Sequence, residues 1–235
     1  RSGSSAPFDS TIRLVGLRRS SIRRSHVRAK GLRTGRRNRC VTYDDAPIGE
    51  FLDDIASKRV APAGGTAAAI TGAIGAALCE MVCVHTMAAE RGRSNADPEP
   101  SFPEVRAGLR RRRKALLALA DRDGAVVEEL FGADRQSSTR VKRRAAGIPL
   151  AVSEAALEVL LDAETVFRHG QNGVAADAKT GAYLADAAVR ASVETVRINA
   201  AALPEGSFAA GIEDRAADIA ESAAAVRGRL FGTKW

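Results

Sequence analysis

Strand-type alternation is missing from this chain: no run rich in Val, Ile and Thr alternates apolar with polar residues, and aromatic side chains make up only 4% of the 235 residues. That absence argues against a sheet and for helices throughout. Carboxylates are missing from the first forty residues, where Asp9 stands alone against 12 lysines and arginines. The formal net charge of +8 therefore resides in that segment, because from residue 41 onward 24 basic residues meet 27 acidic ones. The globular part is not a polycation, so nucleic acid is expected as a partner only through the tail. Cysteine is scarce too. Cys79 and Cys83, four apart on one helix, have no second ligand pair beside them, so we expect no metal site, buried thiols and a reducing, cytoplasmic setting. No apolar segment of signal-peptide type precedes the domain, and secretion is not expected.

What the first forty residues do have is arginine strung through serine and glycine, as in "LRRSSIRRSHVRAKGLRTGRRNR". They offer too little apolar surface to offset the entropy of ordering, and residues 1–40 are expected to be disordered. Three origins stay open: an arm for nucleic acid or an anionic surface, a transit peptide, or non-native sequence ahead of a natural-looking start at Val41. Residues 41–235 are the helical domain.

In that domain Pro47 opens a short amphipathic helix, "IGEFLDDIAS". Further helices are expected from Thr66 to about Ala89, Glu104 to about Ala133, and Gln136 to Arg168, the last kinked or split at Pro149. Two more run from about Val174 to Leu203 and from Ser207, acting as cap, to about Phe231. The stretch "APAGGTAAAITGAIGAALCEMVCVHT", Ala61 to Thr86, carries no charge before Glu80. A helix apolar on every side is either the centre of a bundle or a membrane span. Glu80 interrupts the run short of the roughly 18 residues a span needs, and its Ala and Gly content suits close helix contacts through Gly72, Gly75 and Ala76. The expected architecture is an up-and-down helical bundle around this buried Ala/Gly-rich helix, with no membrane contact. Gly64, Gly65 and Thr66 stand where the helix begins, where free N–H groups either bind an anion or polar ligand or make an ordinary turn and cap.

Asp123 stands out on a helical wheel. With Leu116 at zero, Ala120 falls at about 40°, Asp123 at about −20°, Val127 at about 20° and Leu130 at about −40°, whereas Asp121 lands at about 140° on the solvent side. A carboxylate aimed along an apolar stripe has its pKa raised, as a general acid/base requires, unless it is a structural group bonded to an arginine or a helix end. Asp177 and Asn199 fall on the inward face of the penultimate helix. Their structural readings are a first-turn charge for Asp177 and a C-terminal cap for Asn199.

These residues carry a resemblance. "PAGGTAAAITGAIGAALCEMV" is similar to the Pro-x-Gly-Gly-(Ser/Thr) opening and Ala/Gly-rich helix of the formiminotransferase-cyclodeaminase C-terminal family, which includes stand-alone methenyltetrahydrofolate cyclohydrolases. Agreement continues through "LLALADRDGAVVEEL", "IPL" at Ile148 to Leu150, "AADA" with Asp177, and "VRINAAAL", so that it covers Asp45 to about Arg229. The Lys-rich segment usual after the buried helix is replaced by "MAAERGRSNADPEP", "GQNG" stands in place of the usual Gly-Asn-x-Asn, and Ala63 replaces a glycine. The resemblance implies an all-helical homodimer acting on a one-carbon unit bridging N5 and N10 of tetrahydrofolate, without a cofactor beyond that substrate. It makes Asp123 the catalytic residue and Gly64, Gly65, Thr66, Asp177 and Asn199 substrate-binding ones. "RRRRK", Arg110 to Lys114, reads as a solvated turn that also has a reach toward a folate glutamate tail. Two activities are implied, hydrolysis of 5,10-methenyltetrahydrofolate to 10-formyltetrahydrofolate first and cyclodeamination of formiminotetrahydrofolate second. A third reading, from another class, is an inactive helical dimer binding polyanions through its basic tail.

Overall fold

The computed structural model describes residues 42–90, 101–132 and 138–232. The basic segment 1–40 and the proline-rich loop after the apolar helix, including Arg91 and Arg93, lie outside the described residues. Within them the chain is helical: α1 (Ile48–Ile55), α2 (Gly64–Glu90), α3 (Phe102–Phe131), α4 (Thr139–His169), α5 (Ala175–Ala201) and α6 (Ser207–Phe231), with a 3-10 turn at Asn172–Val174 before α5.

Helices α2, α3, α4 and α5 pack side by side in chain order and close with α5 against α2, while α6 lies over α4 and α5. Each neighbour runs antiparallel to the last. Gly72 and Thr66 of α2 meet Leu116 and Asp123 of α3; Arg112 and Arg144 pair across α3 and α4 with Asp162 and Glu129; Asn199, near the end of α5, bonds Ala145 near the start of α4. Small residues set how close α2 and α5 come. A Cβ on Gly75 would stand 2.8 Å from the Gly181 carbonyl oxygen, and one on Gly181 would stand 2.9 Å from that of Gly75. Alanine and valine fill most of the core, and Phe102, Leu109, Leu116, Leu160 and Leu230 are its largest enclosed side chains.

Three expectations change. Pro149 does not split α4, which runs unbroken for 31 residues. The Ala145 carbonyl, which would have met an N–H at position 149, accepts instead from the Asn199 side-chain amide at 2.7 Å. Gly206, not Ser207, occupies the cap position of α6, and its φ of 153° is a conformation that glycine takes without a Cβ penalty. Finally, α2 is not gripped on every side. Half of its most apolar 18-residue window is buried, and the other face leaves Ile74 44% and Val84 41% exposed, with Ala77 and Ala88 also open to solvent. Length and composition alone would let α2 cross a membrane, but its buried face is cut to fit α3 and α5.

Candidate active site

At one end of the bundle the first turn of α2 meets the last third of α3. The Thr66 hydroxyl, fully buried, donates to Asp123 Oδ2 at 2.8 Å, and the Thr66 backbone N–H also bonds that carboxylate. Gly65 supplies the space: a Cβ there would collide with Asp123 Oδ1 and stand 2.7 Å from its Cγ. The carboxylate thus lodges on free N–H groups at a helix start, a setting that favours negative charge. Burial, with 4% of the residue exposed, pushes in the other direction and dominates, holding the Asp123 carboxyl above its ordinary range while the two Thr66 hydrogen bonds pull it back. A carboxyl so balanced can carry a proton or release it, which is the chemistry of a general acid/base.

Asp121 is not on the solvent side. It is half-buried, and its Oδ1 accepts from the Tyr43 backbone N–H at 2.8 Å. That bond lays the segment before α1 across α3, with Tyr43 edge-on to Phe51 at 5.6 Å. The wheel treats α3 as an isolated cylinder and could not show a covering segment.

The structure joins Asp123 to Thr66, 57 residues earlier in the chain, and to the neighbouring Gly65 in one contact. Gly65 and Thr66 face the carboxylate, and of the three residues only Gly64 is exposed with clear space beside it. Asn199 lies toward this end of the bundle, but its amide is spent on the Ala145 carbonyl, and it does not cap its own helix. Asp177 is separated from the rest. It is half-buried in the first turn of α5, near the junction where Thr86 Oγ1 accepts from the Gln171 N–H, toward the opposite end of α2 from Thr66. Within one protomer it does not join Asp123.

The arginine run is no free turn of helix. Arg112 bridges to Glu158 and Asp162 of α4, and Arg113 reaches Glu80 of α2 at 2.6 Å. Glu80, which ends the uncharged stretch, is therefore the α2 partner of α3. Cys79 and Cys83 are buried, and burial pushes both thiols up to about 12. Among the described residues no three or more His, Cys, Asp or Glu side chains come together as a metal cluster would require. A cleft of about 530 Å³ lies between α5 and α6 among Arg190, Glu194, Arg197 and Arg227, and none of the candidate residues lines it.

Fold and site together define an antiparallel helical bundle with a buried carboxylate held at the start of a small-residue helix. Residues 47–218 match the family described as Formiminotransferase-cyclodeaminase, and the chain belongs to that family. It is similar to the methenyltetrahydrofolate cyclohydrolase of Methylorubrum extorquens AM1, with 29% identity over 199 residues that span 79% of this chain and 94% of that one. Its fold is that of the formiminotetrahydrofolate cyclodeaminase of Thermotoga maritima, with a TM-score of 0.70 at 24% identity over 82% of this chain and 99% of the other.

Proposed function

We propose that the protein is an enzyme of folate one-carbon metabolism that hydrolyses 5,10-methenyltetrahydrofolate to 10-formyltetrahydrofolate, with Asp123 as general acid/base. The observation that carries this reading is the Asp123 carboxyl, buried on the first turn of α2 with its pKa raised by burial. The family and the cyclohydrolase relative, matched over nearly its whole length, support the substrate class.

The methenyl bridge is an amidinium carbon and already electrophilic. Hydrolysis needs water to form a C–O bond there, a base to take a water proton, and an acid to protonate N5 as the C–N5 bond breaks. One carboxyl alternating between the two states suffices for the transfer to N5, and the second water proton leaves to solvent. A cyclodeaminase would need a similar shuttle as N10 attacks a formimino carbon and ammonia departs. Identity to the cyclodeaminase neighbour is low enough that it speaks for the fold alone, which is why hydrolysis comes first.

The active form in this reading is a homodimer. The uncovered face of α2, with Ile74 and Val84, is the apolar surface a second copy would bury.

The test supplies the full chain with each substrate and follows loss of the methenyl absorbance and release of ammonia. Loss of the chromophore above the spontaneous rate, without ammonia release from the formimino compound, is expected. Asp123→Asn should lower that rate by about 10²–10⁴-fold. Equal activity of Asp123→Asn and wild type would remove the carboxylate from the mechanism.

A further inference from the structure

Tyr43 lies outside the residues matched by the family, which begin at Pro47, yet it reaches the same turn of α3 as Asp123. Three contacts fix it there. Its backbone N–H is bonded to Asp121 Oδ1 at 2.8 Å, its ring stands edge-on to Phe51, and its phenol end lies on Gly124, the residue after Asp123. A Cβ on Gly124 would stand 2.5 Å from Tyr43 Oη and 3.2 and 3.3 Å from two ring carbons, so the glycine makes the seat for the phenol. Gly124 itself is buried in the middle of α3, where glycine costs roughly 1 kcal/mol against alanine, so the close approach has a local reason to be there.

The hydroxyl is available for further bonding. Among the described residues it has no hydrogen-bond partner, although the ring is half-buried. Burial first, then the nearby charges of Asp121 and Asp123, hold the phenol above its ordinary pKa. It therefore keeps its proton across the neutral range and is a donor there. A single carboxylate that takes a proton from water does not by itself hold that water in place. A fixed O–H donor on the same turn of α3 can.

We infer that the Tyr43 hydroxyl is a second functional group of the site, donating a hydrogen bond to the oxygen that adds to the one-carbon unit while Asp123 moves its proton. This rests on the hydrolytic reading above. The water oxygen accepts from Tyr43 and gives a proton to Asp123; as the C–O bond forms, the same oxygen carries the developing carbinol and still accepts from Tyr43. The phenol itself is neither consumed nor ionised.

Tyr43→Phe keeps the ring, its contact with Phe51 and its backbone bond to Asp121, and removes one oxygen. We expect kcat to fall on the order of 10–10²-fold with KM changed less than about threefold, since the bond is made to the reacting oxygen and not to the bound folate. A second readout needs no turnover. The chain has two tyrosines, so in a Tyr183→Phe background the ultraviolet tyrosinate titration reports Tyr43 alone. Adding Asp123→Asn removes one of the charges that raise its pKa and should shift that titration to lower pH. An unchanged kcat in Tyr43→Phe, where Asp123→Asn is inactive, would overturn the role of the hydroxyl and leave the hydrolytic reading standing. A tyrosinate titration that Asp123→Asn leaves in place would overturn the proximity on which the role depends. Wild-type protein that turns over neither substrate would remove both readings together.

Discussion

Gly65 is the position where a single carbon atom would displace the Asp123 carboxylate. The space a Cβ would take is already filled by the Asp123 carboxylate. Gly65→Ala should therefore push the carboxylate off the Thr66 hydroxyl and cost activity nearly as heavily as Asp123→Asn, with a stability loss of about 1–3 kcal/mol from overpacking. Gly64→Ala, which meets nothing within 4 Å, is the comparison that should leave the Thr66–Asp123 contact and the stability intact. Asp123 itself has a thermodynamic signature. Its folded pKa is raised, so between the ordinary carboxylate value and the folded one the native state holds a proton that the unfolded chain has released. Stability from this group falls as pH rises through that window and stays lower above it. Asp123→Asn should accordingly melt at or above the wild-type temperature at pH 7, the gap closing as the pH drops below the ordinary carboxylate pKa of about 3.9. A variant that melts well below wild type at pH 7 would mark the carboxylate as a structural cap of α2.

Among the elements, α4 and α5 depend on one another through a proline. The Asn199 amide fills the gap that Pro149 leaves at the Ala145 carbonyl, so Asn199→Ala should destabilise the fold by about 1–3 kcal/mol, the usual cost of an unsatisfied buried acceptor. Pro149→Ala restores an N–H at the right place and should recover most of that loss in thermal unfolding of the double variant. Loss of folate binding in Asn199→Ala without loss of stability would return Asn199 to the site. The helices themselves were legible in the sequence because their ends are written locally: Pro47, Gly170 and Pro204 stop or start chain whatever surrounds them. The site was legible only in part. A wheel shows that Asp123 points inward, and it cannot show that Gly65 and Thr66, 57 residues earlier, are what it meets. Tyr43 was out of reach for the same reason, since its place over Gly124 follows from a bond to Asp121 78 residues away. Arg112 and Arg113 look solvated in one dimension and pair with α4 and α2 in three.

The molecule as a whole has an unfinished side. Ile74 and Val84, ten residues apart on the same face of α2, remain open, and a stripe of this kind on a bundle core helix is expected to meet its own copy by two-fold symmetry. Wild-type protein should run as a dimer by light scattering, and Ile74→Glu together with Val84→Glu should give a folded monomer with unchanged helical signal. A wild-type monomer would remove the dimer from the reading. A charged variant that stays dimeric would move the interface elsewhere.

The contact between Thr66 and Asp123 also makes the protein its own proton gauge. A backbone N–H beside a carboxylate changes its chemical shift when that carboxylate loses its charge, so the Thr66 resonance in a nitrogen–proton correlation spectrum should trace the ionisation of Asp123 directly, without substrate.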